Sequence, residues 1–333
     1  MKLLKNKDKE ILNIALPAIV ANITVPLLGL VDVAITGHLG NAAYIAAIAV
    51  GSMLFNVIYW VFGFLRMGTS GMTAQAYGRG DSAETMLLLM RGLCVALAVA
   101  LAVLVLQRPL LALAISVMGV EPSLQPLVRT YFQICVWGAP AMLCLYAFTG
   151  WFIGLQNTRI TMTVSIVQNI VNIVASLILV YGLGMKIDGV ATGTLIAQWG
   201  GLLVAASYAY LKHRGLLRSL LFRAVTRGEA LMRFFNVNRD IFLRTLFLVA
   251  VNLFFVSAGA TQGTVVLAVN TLLMQLFTLF SYVMDGFAYA GEALCGKYAG
   301  AGDRTGFHAT VRRLFVWGAI LTTAPCGISI VRC

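Results

Sequence analysis

A single carboxylate lies inside the first long apolar segment of the chain, where ionisable side chains are rare. Asp32 follows the run Val25-Pro26-Leu-Leu-Gly-Leu-Val31. A charged carboxylate is costly in a bilayer, and burial favours its neutral form, so such a residue is a functional candidate by default. Asp32 is therefore a candidate for binding a proton or another cation. The alternative is an acid near a helix end that simply reaches water.

A proline lies six residues before this acid. Pro26 removes one backbone hydrogen bond and tends to kink a helix, and Asn22 and Thr24 could satisfy the groups that it frees. A kink beside a protonatable group can act as a hinge. A static packing kink explains a proline equally well.

A polar stripe marks the fifth apolar segment, where Gln168, Asn169, Asn172 and Ser176 recur at helical spacing. Such stripes in membrane helices face a partner helix or a wet cavity. The residues alone leave both interpretations open.

Small residues open the sixth apolar segment. Gly189 and Gly193 have small-xxx-small spacing, and Thr192 and Thr194 lie beside them. This pattern favours close helix packing over ligand binding.

Two further acids, Asp285 and Glu292, lie towards the end of the eighth segment. We interpret them as ion-pair partners of Lys297, with a place at a cavity mouth as the alternative. The cysteines and histidines have no ligand spacing, so no metal site is predicted, and no catalytic residues are assigned.

The composition explains why these polar residues stand out. The 333 residues are 60% hydrophobic and 11% charged, with a mean hydropathy of +0.90. These values exclude a soluble enzyme, a disordered chain and a disulfide-rich secreted domain. They predict an all-α polytopic membrane protein with nine transmembrane helices, at Ile11–Ile35, Ile45–Leu65, Leu87–Leu106, Leu127–Phe152, Thr161–Leu183, Val190–Leu211, Ile241–Ala260, Val265–Tyr289 and Leu314–Val331.

The net charge of +12 follows the predicted topology. Of the 24 basic residues, 20 fall on the side of the N-terminus, with Arg66, Arg79 and Arg91 assigned to its first return loop. The positive-inside rule then places the N-terminus in the cytoplasm. We expect the basic charge to contact anionic lipid at this face, and we expect no nucleic-acid partner.

An internal repeat organises the chain. Gly78-Arg-Gly-Asp81 resembles Gly300-Ala-Gly-Asp303, 222 residues later, and Ile48–Ile58 resembles Leu267–Phe277 at an offset of 219. Spans seven to nine therefore look like a second, parallel copy of spans one to three. We expect a six-helix lobe over 1–211, a basic cytoplasmic linker over 212–240, and three helices of a second lobe over 241–333. The chain is then expected to stop half-way through its second lobe and to transport weakly or not at all.

These residues resemble the multidrug and toxic compound extrusion (MATE) transporters. The resemblance rests on Leu16-Pro17 and the Asn22–Gly40 stretch, on Thr73-Ala-Gln75-Ala-Tyr-Gly78-Arg-Gly80, and on Gly150-Trp-Phe-Ile-Gly154-Leu-Gln-Asn-Thr158. The run from Asp285 to Leu294 resembles the DNA-damage-inducible F branch in particular.

The resemblance implies two six-helix lobes around a central cavity. It also implies a monomer in the inner membrane that exports organic, often cationic, compounds in exchange for protons or sodium, with no other cofactor. Asp32 matches the family's cation-coupling acid, Pro26 the bend in its helix, and Asn172 an asparagine packed near that acid. Thr194 matches a cavity threonine more weakly. Family members often have a second acid four residues after the asparagine, where this chain has Ser176.

Two other functions compete with this interpretation. A lipid-linked oligosaccharide flippase of the same superfamily would place several basic residues in its cavity, and the predicted spans contain almost none. An intramembrane lipid-modifying enzyme would need paired acids, a histidine or a nucleophile at membrane depth. Asp32 is nearly alone there.

Overall fold

A computed structural model describes residues 2–37, 42–219, 228–261 and 264–330. Helices fill nearly all of these ranges, and α1 to α12 span Lys2–Gly37, Ala42–Val61, Phe64–Gly78, Ser82–Val105, Gln107–Val117, Gln125–Cys135, Ala139–Gly154, Thr158–Leu177, Ile187–Ser219, Gly228–Thr261, Thr264–Gly300 and Arg304–Ile330. A 3-10 turn at Val136–Gly138 joins α6 to α7, and a π-turn at Ile178–Gly182 ends α8. The expected all-α class is confirmed for the described residues.

Five segments within the described ranges are long and apolar enough to cross a membrane: Ala42–Gly78, Ser82–Val105, Gln125–Gly154, Thr158–Gly182 and Ile187–Gly215. The other predicted spans overlap α1, α10, α11 and α12, and the count of nine stays a prediction. Position 331, at the end of the last predicted span, lies outside the described residues.

Several predicted boundaries differ from the helices. The second span was predicted to end at Leu65, but after a short break at Phe62 and Gly63 the chain continues as α3 to Gly78. The boundary was misplaced because the polar residues of α3 lower the local hydropathy. Three of them, Thr69, Ser70 and Thr73, are nevertheless buried in helix packing. Within the predicted linker 212–240, α9 runs to Ser219 and α10 begins at Gly228. Residues 220–227 lie outside the described residues, and the linker stays a prediction.

The G-x-G-D turns fold identically in the two copies of the repeat. The second glycine has a positive φ in both, +73° at Gly80 and +71° at Gly302, which glycine adopts without strain. Asp81 and Asp303 then cap the next helix by accepting a hydrogen bond from the amide three residues later, at 2.9 and 2.8 Å. The two turns thus share one conformation at the offset of 222, and the last residues of α3 and α11, Gly78 and Gly300, are separated by the same number. The parallel repeat of spans stays a prediction.

Close helix packing holds α3 against α7. A Cβ on Gly150 would overlap the backbone carbonyl of Arg66, and one on Gly154 would overlap Thr73. The glycines of α7 thus let the two backbones approach. Because α7 packs directly against the backbone of α3 at Arg66, this contact fixes the position of Arg66.

Candidate ion and substrate site

Three side-chain hydrogen bonds set α1 and α8 side by side. The Thr158 hydroxyl donates to the Ile14 carbonyl at 2.9 Å, the Asn169 amide to the Thr24 carbonyl at 3.1 Å, and the Tyr181 hydroxyl to the Ile35 carbonyl at 3.5 Å. The partners are 144, 145 and 146 positions apart in the chain. A nearly constant separation means that the two segments run parallel with a fixed register.

This register brings Asp32 to the level of Leu177 and Ile178, one and two residues after Ser176. Asp32 is 7% exposed and Ser176 is fully buried. The Asp32 Oδ1 and Ser176 Oγ atoms are buried and have no hydrogen-bond partner within the described ranges. Buried polar atoms normally have a partner, and those that lack one need an explanation such as an ion or water. The interpretation of Asp32 as a side chain that reaches water does not fit its burial.

Asn172 lies one helical turn before Ser176 and is fully buried. Its Nδ2 donates to the Thr194 hydroxyl at 3.1 Å, which fixes the amide. The Asn172 Oδ1 atom is buried without a partner in the described part of the chain. A Cβ on Gly193 would overlap Ser176, which confirms the close packing predicted for the small residues of the sixth segment.

The other sequence candidates lie apart from this group. The Gln168 amide reaches the Met142 sulfur at 3.6 Å, and Asn22 donates to the Tyr282 carbonyl of α11 at 3.2 Å. Asn22 thus faces the second copy of the repeat. Pro26 lies within α1, which the structure assigns as helix on both sides of it, and its side chain is outside the described set.

Sequence reasoning missed two neighbours of Asp32. Tyr131 and Cys135 of α6, four residues apart and both buried, interact electrostatically with its carboxyl. The Tyr131 hydroxyl lies 3.2 Å from the Ser52 hydroxyl. The helical spacing of 131 and 135 was visible in the sequence, but nothing there indicated that this side of α6 comes near Asp32.

Two predicted placements of charged residues are wrong. Arg66, assigned to a loop, lies in α3 with its side chain 13% exposed, and its Nη1 is 3.9 Å from the Glu292 Oε2. Glu292 therefore pairs with Arg66 and not with Lys297, the partner that the sequence predicted. Lys297 donates to the Gln156 Oε1 at 3.4 Å. Arg91, assigned to the same loop, is buried in α4 and binds Glu84 at 2.8 Å.

The described ranges contain no visible metal site. No group of three or more His, Cys, Asp and Glu residues there could hold a metal ion. Four cysteines in those ranges, Cys94, Cys135, Cys144 and Cys295, are free.

Comparison with known proteins gives consistent matches. The MatE family model matches residues 17–178. DNA damage-inducible protein F of Escherichia coli K12 is 38% identical over 305 residues, which are 91% of this chain and 66% of that protein. A probable multidrug resistance protein NorM of Shewanella oneidensis is 31% identical over 205 residues, 60% of this chain and 44% of that protein.

The fold also matches a solved structure, an outward-facing conformation of a multidrug resistance MATE family transporter. It has a TM-score of 0.86 at 19% identity and covers 97% of this chain and 71% of that one. The chain thus spans about two thirds of the length of the Escherichia coli relative and less than half of the Shewanella one. On the family model and the identity to DNA damage-inducible protein F, this chain belongs to the MatE family of multidrug and toxic compound extrusion proteins.

Proposed function

We propose that this chain belongs to a cation-coupled antiporter that exports organic, often cationic, compounds across the inner membrane by alternating access. The observation that carries the proposal is the buried Asp32 carboxyl, whose Oδ1 has no hydrogen-bond partner among the described residues. A proton or Na⁺ would satisfy that oxygen. The names of the two relatives reported above, one of them a probable multidrug resistance protein, support a role in efflux.

Asp32 would bind the coupling cation from the outer side, and the cation would neutralise a charge that is costly to bury. Asn172 offers a second buried oxygen, its unpartnered Oδ1, to a sodium ion or to a water. Ser176 cannot carry a charge, so Asp32 acts as the single acid of the site. Gln168, Ser176 and Thr194 would line the cavity next to it.

Neutralisation would change the bend of α1 at Pro26. Helix α1 packs against α8 on one side and α11 on the other, and Asn22 bonds the α11 backbone. A change in the bend would therefore act on both copies of the repeat. This coupling gives the ion a physical route to the surface where an organic substrate would bind.

The predicted topology completes the proposal. The N-terminus would be cytoplasmic, and the exposed basic residues that follow the sixth span, such as Lys212 and Arg214, would contact anionic lipid. Residues 1–211 would form one lobe and 241–333 part of a second, in a protein that works as a monomer.

Transport in vesicles with independently imposed proton and sodium gradients tests the proposal. Ethidium efflux by the antiporter that contains this chain should follow one of the two gradients and should be lost in Asp32→Asn. Asp188→Asn, a change of the same type at an exposed position, is the matched control and should transport normally. Efflux that ignores both gradients, or that is unchanged in Asp32→Asn, would contradict coupling through this residue.

A lipid-linked oligosaccharide flippase is the alternative, and Arg66 and Arg91 are basic residues inside the helices that it could use. Each guanidinium is already paired with a carboxylate, Glu292 for Arg66 and Glu84 for Arg91, and is a poor site for a pyrophosphate, so this alternative is not favoured. An intramembrane lipid-modifying enzyme is less favoured still, and unaltered bound lipid after incubation would exclude it.

A further inference from the structure

A second charge cluster, partly buried, lies between α3 and α11, where Tyr289 is buried, Glu292 half-buried and Asp285 exposed. The guanidinium carbon of Arg66 is 4.1 Å from the centroid of the Tyr289 ring, and its Nη1 is 3.9 Å from the Glu292 Oε2. Asp285 also acts on Arg66 electrostatically. Since 285, 289 and 292 recur at helical spacing, the three residues lie on one face of α11. We call Asp285, Tyr289 and Glu292 the acidic-aromatic face.

The ion pair in this cluster is loosely made. A separation of 3.9 Å between the Arg66 Nη1 and the Glu292 Oε2 exceeds a charge-assisted hydrogen bond, which is about 2.7–2.9 Å. Both atoms are buried, and neither has a hydrogen-bond partner in the part of the chain that the structure describes. A pair that served only to hold the helices together would be expected to make such bonds. Exchange of this guanidinium for another cation would break no hydrogen bond of these two atoms.

The charges are also unequal. The Glu292 carboxylate lies beside the guanidinium of Arg66, and Asp285, a second and exposed carboxylate of α11, acts on Arg66 electrostatically. Arg244, on the exposed side of α10, is the weakest of the charges that act on Glu292. The acidic-aromatic face therefore keeps an excess of negative charge beside an aromatic ring.

The cluster lies where the two copies of the repeat meet. Arg66 belongs to the first copy and the acidic-aromatic face to the second, and Asn22 of α1 bonds the Tyr282 carbonyl next to it. Arg66 precedes the turn glycine Gly78 by 12 residues, which is about 18 Å along a helix. In a hydrocarbon core of about 30 Å, this depth is near the middle of the membrane.

A ring face flanked by carboxylates attracts a delocalised organic cation through cation–π and ionic contacts. Arg66 already places such a cation there, tethered to the first copy. We propose that the acidic-aromatic face is a recognition site for organic cations, and that Arg66 occupies it until a cationic substrate displaces the guanidinium. This inference rests on the proposed export function and assigns the substrate site within it, apart from Asp32.

Binding of ethidium to the purified full chain in lipid nanodiscs, followed by fluorescence anisotropy, tests the inference. Glu292→Gln removes an attractive charge and should weaken binding about tenfold, whereas Arg66→Gln removes the internal competitor and should tighten it about three- to tenfold. Arg66→Lys keeps a tethered charge and should bind like the parent chain. The matched controls are Asp240→Asn and Arg239→Gln, from an exposed pair, and both should leave affinity unchanged.

Opposite effects of Arg66→Gln and Glu292→Gln are the signature of competition. A merely structural ion pair predicts that both variants lose affinity and thermal stability together, and that result would overturn the inference. Unchanged affinity in Glu292→Gln, or absence of ethidium binding in the parent chain and in Arg66→Gln, would also overturn it.

The two proposals fail separately. Under the proposed function, binding of ethidium displaces a proton or Na⁺ from Asp32. If that displacement persists while changes at Arg66 and Glu292 have no effect on affinity, the site assignment alone is wrong. If ethidium binds as described but displaces no ion, the coupling through Asp32 is wrong and the recognition site stands.

Discussion

Gly78 and Gly300 pack reciprocally across the contact between the two copies of the repeat. A Cβ on Gly78 would overlap the carbonyl of Lys297, and a Cβ on Gly300 would overlap the carbonyl of Gln75. Gly78 and Gly300 are equivalent in the repeat, and so are Gln75 and Lys297 at the same offset. The contact is therefore nearly two-fold symmetric, and it brings two backbones together at the face predicted to be cytoplasmic.

A methyl group at either position should force the helices apart. We expect Gly78→Ala and Gly300→Ala each to destabilise the protein by about 1–3 kcal/mol, as overpacking does. Gly71→Ala, in the same α3 helix but with nothing within 4 Å of an added Cβ, should be neutral or stabilising by up to about 1 kcal/mol. Thermal unfolding in detergent measures all three, and equal effects at Gly71 and Gly78 would contradict the close contact.

The N-terminal end of α1 is tied to α11 through polar groups, which predicts a dependence on pH. Tyr298 donates to the Glu10 carboxylate at 2.8 Å, and Lys7 bonds both residues. Burial of Glu10 alone would raise its pKa, but the hydrogen bonds from Lys7 and Tyr298 are decisive and lower the pKa below the ordinary 4.5. The stability from this tie is then present above pH 4.5 and lost as pH falls through the lowered pKa.

Lys7 determines the highest pH at which the same group of hydrogen bonds stabilises the protein. Burial of Lys7 would lower its pKa, but hydrogen bonds to Tyr298 and Glu10 raise it above 10.5. The stability that Lys7 contributes is present below pH 10.5 and is lost as the pH rises through the raised pKa of Lys7. Glu10→Gln should therefore lower the unfolding temperature at neutral pH and have little effect once the pH is below the lowered pKa of Glu10. A difference of the same size at both pH values would exclude the charged tie.

The hydroxyl of Thr194 should hold the amide of Asn172 in place. Thr194→Val removes the acceptor at 3.1 Å and leaves a buried amide unsatisfied, which costs about 1–3 kcal/mol. Thr194→Ser keeps the hydroxyl and should cost less. Chemical unfolding of the two variants measures the difference, and equal stability would show that the hydrogen bond contributes nothing.

An acid at position 176 should change the number of protons that the site carries. Since Ser176 lies within two residues of the level of Asp32 by the register of α1 and α8, Ser176→Asp should bring two carboxyls into one buried region, where one retains its proton more strongly. The number of cations, counted as protons plus Na⁺, that ethidium releases should rise from one toward two. Ser176→Ala should leave it at one, and an unchanged count in Ser176→Asp would contradict the shared site.

The sequence predicted the helical class and the recurrence of the G-x-G-D turn, because each depends on local composition or spacing. It marked Asp32 as a candidate but left open whether its side chain is buried or reaches water. It misplaced Arg66, since the hydropathy of the second segment falls after Leu65 while the helix resumes after Gly63. Its partner Glu292 is more than 200 positions away in the chain. A pairing of this kind depends on how α3 and α11 pack, which no local pattern records. For the same reason Tyr131 and Cys135 were not expected near Asp32.

Coupling between an organic cation and the ion held by Asp32 is tested by measuring whether binding of the organic cation releases that ion. Ethidium is added to the purified chain in weakly buffered nanodiscs, and a pH indicator and ²²Na⁺ report which ion leaves. We expect that one proton or one Na⁺ leaves per ethidium bound, that Asp32→Asn abolishes the release, and that Asp188→Asn does not. Release of neither ion, or equal release from Asp32→Asn and the parent chain, would contradict this coupling.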